Sequence, residues 1–251
     1  MYKRQINVLV GTDGSRRIDA PIVNQGAVTV SQALDLFPGG GALTNSGTWT
    51  VNANQTMNFA GGGLTSSGTL TVNAGRTLTI NSGGFTWQGG TFSGGGTLVT
   101  NSASVTFTAN FTQAQQVTLI ANNSTFGGTG SITLPAGQTM TLTSTTVNNA
   151  LAIAGTLIVR GGTPLNGAVS TVAGSLVRIQ GDGSVGTGAL TVTQPWINHG
   201  TLELTSVTGG HAAQLFGATL TNASDGTINV LVGTDGSRPV SYTHLRAHET
   251  K

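Results

Sequence analysis

The sequence contains no cysteine, and only 7% of its residues are charged and 5% aromatic. Without cysteine the chain can form neither a disulfide nor a thiolate metal site, and cysteine usage does not indicate a cellular compartment. No apolar run approaches the roughly 20 residues that a membrane-spanning helix needs, so no membrane span is predicted. These absences exclude the disulfide-stabilised, thiol-dependent and helical membrane classes.

The small positive net charge comes from the two ends of the chain. The full sequence has 10 Lys and Arg against 8 Asp and Glu, a net charge of +2. Residues 1–5 and 239–251 hold four of these basic residues and one acidic residue, which leaves 6 basic and 7 acidic residues, a net charge of −1, for 6–238. Nucleic-acid binding needs clustered Lys and Arg that neutralise phosphates. The sequence therefore predicts no nucleic-acid partner.

The two ends also differ in composition from the rest of the chain. Both lysines and both tyrosines lie in MYKRQ, residues 1–5, and PVSYTHLRAHETK, residues 239–251. When they are back-translated, both segments resemble the mosaic-end adapter of transposase-based sequencing libraries, in opposite orientations. The resemblance implies that both are adapter-derived. We therefore expect residues 1–5 and 239–251, including Leu245, to stay outside the folded core, and we interpret 6–238 as a fragment of a longer protein.

Residues 22–84 form three consecutive segments of equal length, 22–42, 43–63 and 64–84, which align with one another without a gap. Four columns hold equivalent residues: Gly26, Gly47 and Gly68; Val28, Trp49 and Leu70; Val30, Val51 and Val72; and Leu36, Met57 and Leu78. Between the apolar columns stand three threonines: Thr29, Thr50 and Thr71. This alternation with period two predicts strands with one buried face, valines inward and threonines outward.

A helical fold is excluded because Thr, Asn and Gly disfavour helix and no period of 3.6 is present. Each coil is predicted to hold strands near Thr69–Val72 and Thr77–Ile80, with Leu64 as a third inward contact and Asn, Gly and Ser at the corners. The motif continues with looser spacing to residue 230, and 126–142 matches 64–80 column for column. One coil cannot bury its own apolar face. The prediction is an all-β fold, a single β-solenoid over 6–238 with coils of about 21 residues.

The sequence also contains a repeat with a period much longer than one coil. INVLVGTDGSR occurs at 6–16 and again at 228–238. Tandem repetition of a block of coils predicts this pattern. A sequence-assembly error that loops through repetitive DNA would produce the same repeated segment. We favour tandem blocks. INVLV is uncharged, β-prone and free of proline, and an uncapped end coil exposes unpaired strand backbone. We therefore expect the fragment 6–238 to associate with itself end to end.

The repeating unit Φ-x-N/S-x-G-T-Φ-x-Φ, with its threonine-rich strands, resembles the β-solenoid repeats of large secreted bacterial surface proteins. These are the filamentous-haemagglutinin-like adhesins and the passengers of autotransporters, and the resemblance covers about residues 6–238. It implies a right-handed parallel β-helix, an extracellular or bacterial cell-surface location and a structural or adhesive role. It also implies a surface ligand, with a glycan as the candidate.

The acidic residues form no catalytic pattern. Polysaccharide lyases and hydrolases need opposed carboxylates, or a metal with a basic residue. Four aspartates precede glycine, as in turns: Asp13, Asp182, Asp225 and Asp235. Asp35 aligns with Thr56 and Thr77, and Glu203 with Thr71, all on outward strand positions. Since no two acids share a column of adjacent regular coils, we predict no catalytic residue and no enzyme activity.

Metal and cofactor sites are not predicted either. His199 and His211 lie beside corner glycines, without a carboxylate at a fixed spacing from them. The GTDGS segments do not match the calcium-binding nonapeptide repeat. The glycine-rich GGGTL and FGGTG are followed by neither a lysine nor a predicted helix, so they are not phosphate loops.

Trp87 is the one residue for which a binding role remains open. Phe85 and Trp87 have the same parity in FTWQGG, and they are either core residues, which we favour, or an exposed platform on which a sugar stacks. Trp49 and Trp196 align with apolar columns and are predicted to be buried. Three functions follow. We favour a structural and adhesive rod over a non-catalytic part of a carbohydrate-active β-helix enzyme and over a glycan-binding module that uses Trp87.

Overall fold

The structure, a computed structural model, describes residues 5–11, 16–36, 41–113 and 117–233, and the backbone of 240–242. Every regular element in these residues is a β-strand, which confirms the predicted all-β class. They contain no helix that is long and apolar enough to cross a membrane. The chain divides into two compact units, Met1–Gly130 and Ser131–Lys251, and each is built as a parallel β-solenoid.

The first unit holds eighteen described strands. They are β1 (Gln5–Val8), β2 (Arg16–Ile18), β3 (Ile22–Asn24), β4 (Ala27–Val30), β5 (Leu34–Leu36), β6 (Ala42–Asn45), β7 (Thr48–Val51), β8 (Gln55–Asn58), β9 (Gly63–Ser66), β10 (Thr69–Val72), β11 (Thr77–Asn81), β12 (Gly84–Trp87), β13 (Thr91–Gly94), β14 (Thr97–Asn101), β15 (Ser104–Phe107), β16 (Phe111–Thr112), β17 (Thr118–Asn122) and β18 (Thr125–Gly127).

Strands of successive coils lie side by side in this unit. We call such a row of strands within one unit a stack. Stack A is β1-β4-β7-β10-β13, stack B is β2-β5-β8-β11-β14-β17, and stack C is β3-β6-β9-β12-β15-β18. Each regular coil thus contributes one strand to each of three stacks.

The second unit holds the remaining described strands. They are β19 (Ile132–Leu134), β20 (Thr139–Thr143), β21 (Thr146–Val147), β22 (Leu151–Ile153), β23 (Thr156–Arg160), β24 (Gly162–Leu165), β25 (Val169–Thr171), β26 (Leu176–Gly181), β27 (Gly188–Val192), β28 (Trp196–Asn198), β29 (Thr201–Ser206), β30 (Ala213–Gly217), β31 (Leu220–Asn222), β32 (Thr227–Val230) and β33 (Val240–Tyr242). Stack D is β20-β23-β26-β29-β32, stack E is β21-β24-β27-β30-β33, stack F is β19-β22-β25, and stack G is β28-β31.

The predicted register is confirmed in stack A. The valines of the inward column lie beside one another on successive strands and are fully buried: Val30, Val51 and Val72. The threonines of the neighbouring column are also in register and are partly exposed: Thr29, Thr50 and Thr71. A slip of one residue would have exchanged the two faces. The right-handed winding stays a prediction.

Stack B departs from the gap-free alignment. Leu36 lies beside Met57 as predicted, but Met57 lies beside Ile80 and not beside Leu78. Between paired residues, the corner after β10 is two residues longer than the corner after β7, and Gly75 takes a φ of 70° there. The next corner is shorter by the same amount, which brings Gly84 back beside Gly63.

The shift in stack B preserves the two faces of the sheet. Because it is a shift of two residues, each side chain keeps its inward or outward direction. The same shift of two residues places Thr56 beside Thr79 and not beside Thr77. The inward column of stack B is therefore continuous, although the alignment assigned some of its members to the wrong neighbours.

The Asn or Ser of the repeating unit forms a buried ladder at the corner between stacks C and A. Asn24 donates from Nδ2 to Asn45 Oδ1 at 2.7 Å, and Asn45 donates from Nδ2 to Ser66 Oγ at 3.2 Å. The same Nδ2 atoms donate to the carbonyls of Thr48 and Thr69 in the following coils. Buried polar groups must be paired. The ladder therefore pairs the buried amides of this corner with one another and with carbonyls of the following coils.

The glycine of the same corner is required by a close approach between coils. A Cβ atom on Gly47 would lie 2.1 Å from the carbonyl oxygen of Gly26, and one on Gly68 would lie 2.1 Å from that of Gly47. Both contacts are with backbone atoms, which cannot relieve the clash by rotating as a flexible side chain could. Any larger residue in this column would force successive coils apart.

Part of each end segment joins a stack. Gln5 is the first residue of β1 and lies beside Ala27, and β33 pairs with β30 from Ala213 to Leu215. Backbone pairing therefore extends into both end segments, while the Gln5 side chain itself is exposed. That 1–5 and 239–251 stay outside the folded core stays a prediction. An edge strand offers unpaired N–H and C=O groups to any extended segment, whatever its side chains. The rest of both segments, including Leu245, lies outside the described residues.

We predict that Asn45→Ala lowers the free energy of unfolding by about 1–3 kcal/mol, because it removes the acceptor for Asn24 and leaves the Thr69 carbonyl without this donor. Chemical denaturation followed by circular dichroism measures the change. Asn45→Ser is the matched control, since serine already occupies this column at Ser66. It should lose less stability than the alanine variant. Wild-type stability in Asn45→Ala would show that the ladder contributes nothing.

Candidate functional site

The carboxylates of the described residues lie beside basic side chains and not beside each other. Three of the five form ion pairs with arginines, Asp19 with Arg17, Asp182 with Arg160 and Glu203 with Arg178, and Asp225 contacts His199. The fifth, Asp35, lies beside Arg17 in stack B. Asp13 and Asp235 lie outside the described residues. Within the described part of the chain, no three His, Asp or Glu side chains are placed to hold a metal ion.

Glu203 lies on β29 directly beside Arg178 on β26. Arg178 donates from Nε at 2.8 Å and from Nη2 at 2.7 Å, both to Glu203 Oε2. The Glu203 side chain is only 15% exposed. Glu203 faces outward as expected, but in stack D and not in the column of Thr71, which belongs to stack A. The same G-T-Φ-x-Φ motif therefore enters different stacks in the two units.

Asp182 organises the loop that follows β26. Its Oδ1 accepts hydrogen bonds from the Ser184 hydroxyl at 2.6 Å and from the Ser184 backbone N–H at 2.9 Å, and Oδ2 lies 3.6 Å from Arg160. These interactions, the Ser184 hydroxyl first, hold the pKa of Asp182 below its ordinary value. The carboxyl is therefore ionised at neutral pH and is unsuited to donate a proton as a general acid. Its bonds to Ser184 close a turn, as the Asp-Gly sequence predicted.

Arg160 belongs to the same polar cluster. With the Gln180 amide oriented so that its oxygen faces Arg160, that oxygen accepts from Nη2 at 2.8 Å and from Nε at 3.1 Å. Arg160 thus contacts both Gln180 and Asp182 on the outer face of the second unit. The guanidinium is engaged by the protein itself, and the cluster anchors the loop to the sheet.

The pair of His199 and Asp225 is a contact that sequence reasoning missed. His199 Nδ1 lies 2.9 Å from Asp225 Oδ1, and both side chains are about half exposed. The hydrogen bond from His199 lowers the pKa of Asp225. The sequence did indicate this contact, because Asn198 and Asn222 are equivalent in the repeating unit and the residues that follow them must come close when the coils stack. The structure places Asn198 beside Asn222 in stack G. Two groups with open solvent around them make a surface pair and not a metal centre.

Trp87 is a core residue. Its side chain is 3% exposed, and its ring makes edge contacts with Phe92 at 6.3 Å and with Phe111 at 5.7 Å between ring centres. Phe111 also packs against Phe107 at 5.0 Å. This burial confirms the favoured prediction that Trp87 is a core residue, and the alternative of an exposed platform for sugars is wrong because the indole has no face at the surface. Trp49 and Trp196 are buried as predicted.

The outer faces of the first unit carry ladders of uncharged polar side chains. One ladder in stack B joins amides from coil to coil with Nδ2 to Oδ1 distances of 2.9 Å: Asn58, Asn81, Asn101 and Asn122. Stack C carries a column of outward threonines: Thr44, Thr65, Thr86 and Thr106. Stack A carries two such columns side by side, from Thr48 and Thr50 to Thr91 and Ser93. These faces are the most regular surfaces of the unit.

Comparison of the chain with protein-family profiles, with curated proteins and with solved structures returns no match.

We predict that Asp182→Asn lowers the free energy of unfolding by about 1–2 kcal/mol at pH 7, because it weakens charge-assisted hydrogen bonds to a side chain that is largely buried. The folded pKa lies below the ordinary 3.8. The carboxylate's contribution is therefore complete above that value and is lost as the pH falls through the folded pKa. Denaturation curves of both proteins should converge in acid.

Asp225→Asn is the matched control. Asp225 also precedes glycine and also has a lowered pKa, but its side chain is 52% exposed. Exposed pairs contribute little to stability. An equal loss in the two variants, or a difference for Asp182→Asn that persists in acid, would contradict the role given to the Asp182 loop.

Proposed function

We propose that this chain is a structural and adhesive segment of a large secreted or surface-displayed bacterial protein, resembling the filamentous-haemagglutinin-like adhesins and autotransporter passengers. The coils repeat one arrangement, in which strands pair in parallel and the apolar face of each strand is buried. Such a scaffold presents long surfaces without needing a central site. The proposed location is the extracellular space or the bacterial cell surface.

The observation that carries this proposal is the contrast between the outer ladders and the charged groups. The ladders of Asn and Thr are uncharged and repeat from coil to coil. The acids of the described residues lie beside arginine or histidine side chains of the chain itself. A surface of repeated hydroxyl and amide groups favours binding and display over turnover, since catalysis needs convergent groups with adjusted pKa values.

The proposed ligand is a surface glycan, recognised through hydrogen bonds to the amides of the stack B ladder. Trp87 is buried, and the ladder presents amide groups that repeat from coil to coil. Binding of the purified chain to a glycan array should fall when Asn81→Ala and Asn101→Ala are combined. Asn166→Ala, which removes an exposed amide of the second unit, is the control and should bind as wild type. A folded wild-type chain that binds no glycan on the array would reject this ligand.

We predict that the purified chain releases no product from a panel of polysaccharides. The reason is that its described carboxylates are not opposed across any cleft, as hydrolysis requires. Reducing-sugar and unsaturated-product assays measure this. Turnover that disappears in Asp182→Ala or Glu203→Ala, with folding intact by circular dichroism, would establish an enzyme.

We also predict end-to-end association of the chain. Among the described strands, β1 pairs only with β4 and β32 pairs only with β29. The two INVLV copies expose apolar side chains there: Ile6, Leu9 and Val10 in the first copy, and Val230, Leu231 and Val232 in the second. The first copy lines an open groove of about 480 Å³. Unpaired backbone beside exposed apolar groups favours edge-to-edge pairing.

Light scattering should detect oligomers of the wild-type chain that grow with concentration. Ile6→Lys combined with Val10→Lys should restore a monomer, because charge on an edge opposes pairing. Val172→Lys is the control, since Val172 is 50% exposed but lies in a corner away from both edges. A wild-type monomer at high concentration would mean that the edges are already protected.

For the two ends, we propose that residues 1–5 and 239–251 derive from adapter DNA, on the strength of their resemblance and their separate composition. Sequencing of the locus from a library prepared without transposase tests this. Native codons for both segments would reject the proposal. The same read would distinguish a tandem block from an assembly loop as the origin of the repeated INVLVGTDGSR segment.

A further inference from the structure

The outer face of stack A forms a two-dimensional array of hydroxyl groups. Three adjacent strands present the sequences Thr-Trp-Thr, Thr-Leu-Thr and Thr-Phe-Ser from Thr48, Thr69 and Thr91. They are in register, so each column continues from strand to strand. The array comprises six residues: Thr48, Thr50, Thr69, Thr71, Thr91 and Ser93. All six are partly or fully exposed.

The array is held in position from below. The residue between the two hydroxyl-bearing positions of each strand is buried: Trp49, Leu70 and Phe92. Trp49 also donates from Nε1 to Gln55 Oε1 at 2.8 Å inside the core. Threonine is β-branched, and its χ1 angle is restricted in a strand. The hydroxyl and methyl groups therefore keep fixed positions on a supported sheet.

Strand geometry sets the two repeats of the array. Neighbouring strands are about 4.8 Å apart, and residues i and i+2 on one face are about 6.6 Å apart. Thr71 Oγ1 lies 3.0 Å from Ser93 Oγ, so hydroxyls of adjacent strands are close enough to act together. A partner that matches all six residues at once must itself be periodic in two directions.

The chemistry of the array narrows the partner further. Its positions carry no charge, amide or aromatic ring, which leaves nothing to pair with an ionic group and no platform on which a sugar can stack. Each hydroxyl both donates and accepts a hydrogen bond, as water does, and each threonine methyl displaces water beside it. Ordered water shares this hydrogen-bonding pattern, is periodic in two directions, and needs neither a charge nor a stacking platform. Ice is a two-dimensionally periodic surface of such hydrogen-bonded oxygens.

We propose that the outer face of stack A binds the surface of ice. The hydroxyls take positions in the outermost layer of the lattice, and water between the threonine methyls is ordered by the array. Growth of the crystal is blocked where the protein is seated. The proposal rests on this face alone and is independent of the adhesive role, so either can fail without the other.

The test measures thermal hysteresis and the inhibition of ice recrystallisation by the purified chain. We expect wild type to arrest growth and to shape the crystals. Thr50→Lys combined with Thr71→Lys should abolish both effects, because the bulky, hydrated lysines lift the face from the lattice. Both positions point outward, so circular dichroism should show an unchanged fold.

Stack C provides a matched control in Thr65→Lys combined with Thr86→Lys. These threonines are also outward and in register on adjacent strands, but the neighbouring outward column there holds Gly63 and Gly84 and offers no second row of hydroxyls. The control should keep wild-type activity. A folded wild-type chain without effect on ice growth, or equal loss in both double variants, would overturn the proposal. Retention on microcrystalline cellulose or chitin without an effect on ice would overturn it as well, and would assign the face to a crystalline polysaccharide.

Discussion

Backbone hydrogen bonding from each coil to the next is the interaction on which the rest of this structure depends. The described strands have two to six residues, too few to be stable alone. Not only the strands but also the corners form backbone hydrogen bonds with the neighbouring coil. Ser46 donates from its backbone N–H to the Asn24 carbonyl at 2.9 Å, and Thr48 donates to the Gly26 carbonyl at 2.8 Å. Because corners must also approach closely, small residues are required there, which explains the column of Gly26, Gly47 and Gly68.

In-register stacking turns every repeated side chain into a ladder. Inside the corner, Asn24, Asn45 and Ser66 share hydrogen bonds and satisfy carbonyls of the following coils. Outside, the same register produces the amide ladder of stack B and the hydroxyl array of stack A. The surface that we propose to be functional is thus a direct consequence of the bonds that hold the coils together. No separate site has to be assembled on this scaffold.

The sequence predicted the faces of the strands better than their partners. Val51 is inward and Thr50 outward because alternation depends only on local order, which a gap-free repeat displays. The pairing of Met57 with Ile80 depends on corner lengths that compensate over two corners, and such a shift is invisible to an alignment at a constant period. The parity of Trp87 with Phe85 already favoured its burial, and the equivalence of Asn198 and Asn222 indicated that His199 and Asp225 come close. The ring partners of Trp87, Phe92 and Phe111, required the three-dimensional stack.

The register of stack B tests this account most directly, and the absence of native cysteine makes the test simple. Thr56→Cys with Thr79→Cys places two thiols on adjacent strands about 4.8 Å apart between Cα atoms, whereas Thr56→Cys with Thr77→Cys places them about 8 Å apart. Disulfides need Cα atoms within about 7 Å. Under mild oxidation the 56–79 pair should crosslink and the 56–77 pair should not. Crosslinking of the 56–77 pair alone would mean that the coils stack at the constant period of the gap-free alignment, and the register described here would be contradicted.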